Sequence, residues 1–249
     1  VCGWLAWRSR DLPALARSAP SAEEAAEPRP SARSIVVWLA LASMGSVTLL
    51  AVSNHLTQNV SSIPLLWVIP LAIYLLTFIL CFEGTRWYRR DAYLGFLVWI
   101  LCVMAWFLAD KRLQFELAWQ VGVFAAGLYV VCMFCHGELA RLRPGPKHLT
   151  LFYLVVSLGG VVGGVLVGIV APLTLPGYLE LEIALVVVAI LALYLNLDRP
   201  KPVVAMFAAV AAFTSGAFAW RVETFTEDTV LIERNFYGVL RVKEVLARD

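Results

Sequence analysis

Seven long apolar stretches, each free of Asp, Glu, Lys and Arg, constrain this chain more than any other feature. They lie at about 35–52, 63–82, 92–108, 117–135, 149–171, 183–197 and 203–220. A helix needs about 20 apolar residues to cross roughly 30 Å of hydrocarbon. The sixth stretch is short and the seventh is rich in alanine, so the expected fold is an all-α polytopic membrane protein with six or seven transmembrane helices. The composition agrees: 61% of the residues are hydrophobic and 15% charged, against about 45–50% and 25% in soluble domains. A net charge of +2 supplies no basic field for nucleic acid. The five cysteines, Cys2, Cys81, Cys102, Cys132 and Cys135, sit mostly inside apolar stretches. There they read as small buried hydrophobes rather than a disulfide framework.

The segments between the stretches orient them. Residues 1–8 read as the end of a preceding transmembrane helix, and 9–34, with four prolines and mixed charge, as a flexible linker. Counted from Arg8, the linker side carries Arg8, Arg10, Arg17, Arg29 and Arg33. Alternate loops on its side carry Arg86, Arg89 and Arg90, then Arg141, Arg143 and Lys147, then Arg199 and Lys201. The opposite loops carry only Lys111 and Arg112. Positive residues stay on the cytoplasmic side. This places the linker in the cytoplasm and puts 53–62, 109–116 and 172–182 outside.

Residues 221–249 are different material. Segments 229–232 and 238–242 read as two short strands around Asn235-Phe-Tyr-Gly238, the start of a β-rich soluble domain. Seven crossings place this tail outside. A domain needing cytosolic substrates conflicts with that, so the seventh stretch stays open between crossing and not crossing.

Four motifs stand out. Asn54, His55, Gln58 and Asn59 belong to a polar island at 53–59 beside an apolar stretch. It reads either as a cap where the chain breaks or as the lining of a cavity, and it is the candidate ligand site. Gly160, Gly164 and Gly168, spaced i, i+4, predict a groove for close helix packing. His136, Glu138, Arg141 and Arg143 form a candidate interface or lipid-headgroup site. Glu138 and Arg141 are spaced to pair at i, i+3, and the basic residues suit lipid phosphates. Cys132-Met-Phe-Cys135-His136 matches a haem-attachment pattern, but it ends an apolar stretch without the surrounding polar scaffold, so no metal or cofactor is expected. The stretches bury no carboxylate of the kind ion-coupled carriers use, and no nucleophile set or nucleotide-binding glycine motif is present.

Several of these pieces occur together in one family. Ser53-Asn-His-Leu-Thr-Gln-Asn-Val60, Pro64-Leu-Leu-Trp-Val-Ile-Pro70 and Cys135-His-Gly-Glu-Leu-Ala-Arg-Leu-Arg-Pro144 stand in order with Ser157-Leu-Gly-Gly-Val-Val-Gly-Gly164 and Arg234-Asn-Phe-Tyr-Gly-Val-Leu-Arg-Val-Lys-Glu244. From residue 35 onward the chain resembles bacterial membrane proteins that fuse a major-facilitator-like region to a spermidine synthase-like domain. One departure is Asn59, where the family often has Asp. The resemblance implies further spans before Val1 and an aminopropyltransferase-like Rossmann domain after Asp249, of which 221–249 is the truncated start. It also implies that glycines and a catalytic Asp lie beyond this chain, so this piece has no catalytic residues and no cofactor. The expected role is a membrane domain serving as scaffold or substrate passage. The alternatives are a transporter of polyamines or other small solutes, and a structural anchor that binds lipid.

Overall fold

The computed structural model describes residues 29–59, 66–84, 86–109, 117–226, 229–234 and 238–243. Most of the linker, the residues before it and the loop at 110–116 lie outside the described residues.

The chain is mainly helical, and each apolar stretch forms a helix. The helices are α1 (Ala32–Asn59), α2 (Val68–Glu83), α3 (Arg90–Ala109), α4 (Leu117–Arg141), α5 (Leu149–Val165), α6 (Ala171–Thr174), α7 (Glu180–Tyr194) and α8 (Lys201–Thr226). A five-residue π-turn, Leu166–Val170, joins α5 to α6, so 146–174 runs as one long helical segment. The π-turn has a local cause. Pro172 cannot donate to the carbonyl four residues back and its ring crowds that carbonyl, so the turn before it widens. Five segments are long and apolar enough to cross a membrane; α2 is a shorter apolar helix and α7 has 15 residues.

α1 is the central element and packs against α5, α4 and α7, while α8 lies on α7 and α3. Ser31 starts α1, its hydroxyl accepting from the Ser34 amide at 3.2 Å, a position that suits serine before a helix. The outer surfaces remain apolar: Leu75, Ile79, Phe96, Trp99, Leu154, Val161, Ile169 and Leu173 are all exposed. Large apolar surfaces spread over several helices need a nonaqueous partner. Five of the exposed tryptophans stand near helix ends, Trp87 at one end of the bundle and Trp67, Trp106, Trp119 and Trp220 at the other, while Trp99 lies midway along α3. Indole side chains favour such positions at a lipid–water boundary.

The tail hairpin is present. β1 (Thr229–Arg234) pairs antiparallel with β2 (Val239–Lys243), Ile232 opposite Arg241 and Arg234 opposite Val239. The expected boundary at 220 falls inside a helix, because α8 continues without a break through Arg221 to Thr226.

The glycine groove is real, but it belongs to different glycines. A Cβ at Gly159 would lie 2.6 Å from Ala42 Cβ and 3.0 Å from the Leu39 carbonyl oxygen. At Gly163 it would lie 2.7 Å from the Ser43 carbonyl oxygen and 2.8 Å from Ser46 Cβ. By contrast Gly160 meets only Ser46 Oγ at 3.6 Å, and Gly164 and Gly168 meet nothing within 4 Å. Gly164 and Gly168 therefore meet no part of α1, and Gly160 meets it only at ordinary contact distance through Ser46. Each Gly-Gly doublet offers two faces with the same spacing. The small residues Ala42, Ser43 and Ser46 on α1 select the face carrying Gly159 and Gly163. Gly163→Leu is expected to lower stability by about 1–3 kcal/mol, because backbone rather than a movable side chain blocks the added carbons. Gly164→Leu should stay within about 0.5 kcal/mol. Thermal unfolding of the two variants in detergent measures the difference, and an equal loss at Gly164 would contradict this packing.

Candidate functional site

The basic residues assemble at one end of the bundle. Arg33 at the start of α1 donates to the Tyr194 hydroxyl at the end of α7, at 2.6 Å, and Trp38 Nε1 donates to the Leu142 carbonyl at 3.2 Å. Arg199, between α7 and α8, pairs with Asp91 at 2.8 Å. The ends of α2, α4 and α7 and the starts of α1, α3 and α8 thus share one face of the molecule, as the alternation of charged loops requires.

A buried carboxylate organises this end. Glu138, in the last turn of α4, has a fully buried side chain. Four donors saturate it. Oε1 accepts from the Tyr88 hydroxyl at 2.9 Å and from Arg90 Nε at 2.7 Å. Oε2 accepts from Arg141 Nε at 3.2 Å and Nη2 at 2.8 Å. Arg90 also donates through Nη2 to the Leu195 carbonyl at 3.1 Å, which ties α3, α4 and the end of α7 together. Burial first, and then the adjacent Glu138 carboxylate, hold the Tyr88 phenol well above its ordinary value, so it remains a donor. Gly137 makes room for this arrangement: a Cβ there would lie 2.4 Å from the Tyr88 ring.

A cavity of about 270 Å³ opens beside the network. Its lining includes Phe82, Tyr88, Arg90, Gly137, Arg141 and Arg143. Arg141 and Arg143 are both exposed, and Arg143 has no hydrogen-bond or ion-pair partner among the described residues. The expected pairing of Glu138 with Arg141 is present. The contributions of Tyr88 and Arg90 were not expected, since they come from about 50 residues away and no local spacing signals them.

His136 departs from expectation. It is buried inside the bundle rather than at an interface. Its Nδ1 lies 3.1 Å from Thr77 Oγ1, and the Tyr74 and Phe78 rings meet it edge-on at 4.9 and 5.3 Å. Gly45 on α1 faces it, with a Cβ there reaching only 3.2 Å from Nε2. Cys132 and Cys135 are buried on the same helix as free thiols. Among the described residues, no group of three or more His, Cys, Asp or Glu is placed to hold a metal ion.

The polar island lies at the opposite end. It forms the last two turns of α1 rather than a break after Val52. The Ser53 and Thr57 hydroxyls donate back to the Leu49 and Ser53 carbonyls at 2.8 and 2.9 Å, an arrangement that keeps polar side chains inside a helix. His55 packs on Phe124 of α4, ring centroids 4.2 Å apart, and Asn54 is half-buried beside it. The side chains of Gln58 and Asn59 and residues 60–65 lie outside the described residues.

This second end carries a charged cluster of its own. Arg221 pairs with Glu182 at 3.3 Å, and Arg234 of β1 pairs with Glu180. Arg234 also donates to the Gly177 carbonyl, and its guanidinium lies 4.7 Å from the centre of the Tyr178 ring. Both partners of the Arg234–Glu180 pair are almost completely buried. Only an acidic first turn of α7 and an arginine before the hairpin turn hinted at this contact in the sequence. Compared with known proteins, the chain matches no family model, no curated protein and no solved structure.

Proposed function

We propose that this chain is the membrane domain of a spermidine synthase-like fusion protein of the bacterial inner membrane. It crosses seven times and serves as the scaffold that carries the synthase-like domain on its hairpin. The chemistry, aminopropyl transfer from decarboxylated S-adenosylmethionine to putrescine, resides in that domain and not in the bundle.

The observation that carries this reading is the buried docking of Arg234 on Glu180, Gly177 and Tyr178. A hairpin that merely trailed from α8 would keep its arginine in water. Here β1 commits a charge to a desolvated pair, with Nη1 and Nη2 bonded and Nε buried without a partner among the described residues, an arrangement that persists only when the geometry is held. The bundle thereby fixes the entry angle of whatever follows β2. The apolar outer surfaces and terminal tryptophans support the membrane setting.

The test uses the full-length protein. Incubation with the two substrates should yield spermidine, detected by mass spectrometry, and a complete lack of transfer by folded protein would overturn the catalytic part. Arg234→Ala should loosen the hairpin, so that added protease cuts within 229–243 about tenfold faster or more. That factor corresponds to about 1.4 kcal/mol of lost docking when local opening governs cleavage. An unchanged cleavage rate would remove the scaffold argument.

A further inference from the structure

We propose that the cavity beside Glu138 is a binding site for a single phosphate group. This goes beyond the scaffold reading and does not depend on it. The cavity, about 270 Å³, is far larger than the 10–15 Å³ of such space that one water needs. Three guanidinium groups line it, from Arg90, Arg141 and Arg143, together with one carboxylate, the exposed Glu83, while Glu138 lies behind the wall, bonded to Arg90 and Arg141.

The two acids do not act alike. Glu138 is fully buried and accepts four donors, so it has no capacity left for an incoming cation. It acts instead as the anchor that holds Arg90 and Arg141 in place. Arg141 keeps half of its side chain exposed, and Nη1 points to no partner among the described residues. Arg143 has no hydrogen-bond or ion-pair partner among the described residues. The face offered to a ligand is therefore cationic, with the free planar fork of Arg143 beside the uncommitted Nη1 of Arg141. Such forks suit phosphate oxygens, because two parallel bonds form at once.

The rest of the lining is apolar. Phe82 and Cys81 close one side, and Phe82 stacks on Phe78, centroids 4.4 Å apart, and neighbours Tyr153 of α5 at 6.3 Å. This aromatic wall continues along α2 into the exposed Ile79 and Leu76. A phosphate joined to acyl chains would find both halves of its chemistry here. Basic pockets between helices at a membrane boundary hold lipid headgroups in this way. Free phosphate would use the same arginines without the aromatic wall.

The experiment separates the two sources. The full chain is purified in neutral detergent, stripped of lipid and reconstituted in phosphatidylcholine. One arm titrates phosphatidylglycerol and the other titrates inorganic phosphate, with binding followed by native mass spectrometry and by the shift in melting temperature. Either arm showing saturable one-to-one binding supports the phosphate site and identifies its source. Arg143→Gln should weaken that binding about tenfold, the effect of one charged hydrogen bond. Arg199→Gln removes an equal charge from the same end but outside the cavity, and should leave binding unchanged. Arg143→Gln leaves the Glu138 network intact and should fold normally. Binding in neither arm would overturn the proposal, as would equal weakening by both substitutions, which would reduce the effect to general surface charge.

Discussion

Glu138→Ala is expected to destabilise the protein by about 3–5 kcal/mol, the cost of leaving a buried ion-pair partner without its counter-charge. Arg90 would suffer most. Its side chain is 18% exposed and its Nε bond is directed at Glu138. Tyr88 would lose its acceptor as well, with burial preventing water from replacing it fully. Arg141 would lose little, since it is half exposed and can turn to solvent. The double variant Glu138→Leu with Arg90→Leu should recover much of the loss, because no unpaired charge remains. Thermal unfolding in detergent for Glu138→Leu, Arg90→Leu and the double variant measures this coupling. Additive losses would mean that Glu138 and Arg90 do not depend on each other.

The second large effect concerns orientation. A phosphatase reporter fused after Asp249 should be active, and the same reporter placed in the 143–147 loop should be inactive. A fluorescent protein that matures only in the cytoplasm should give the opposite pattern. Two features combine in this expectation. Basic loops stay on the cytoplasmic side, and those loops lie at one end of the bundle with Arg33, Arg90, Arg141 and Arg199. α8 then runs unbroken from Lys201 to Thr226 and delivers β1 to the 177–180 turn at the other end. A cytoplasmic signal at Asp249 would mean that the bundle is inverted against its charge, or that α8 does not cross. With the expected result, the synthase-like domain proposed above would meet its substrates outside the cytoplasm. Substrate supply from that side then becomes part of its function.

The seven apolar stretches and the two strands were legible along the chain because each depends on local pattern alone. A run without charge becomes a helix wherever it is buried or in lipid, and alternation around Asn235-Phe-Tyr-Gly238 marks a hairpin. Helix ends were less legible. The polar residues 53–59 read as a break, yet their hydroxyls bond back to the helix's own carbonyls and α1 continues. Arg221 read as the start of soluble tail, yet Glu182 holds it against the bundle and α8 runs on.

Spacing alone placed Glu138 beside Arg141, and charge alone sorted the loops into two sets. Only the tertiary structure decided what those residues do. It chose Gly159 and Gly163 over Gly160, Gly164 and Gly168, because the partner helix presents Ala42, Ser43 and Ser46 to one face of α5 and not the other. It drew His136 into the core, where Gly45 and Thr77 make room and a hydrogen bond for it. It brought Tyr88 and Arg90 to Glu138 and Arg234 to Glu180. Those contacts join residues about 50 positions apart, and their energy comes from removing charges together from water. Local sequence encodes which segments leave water, and the packing of those segments determines which charges leave it as pairs.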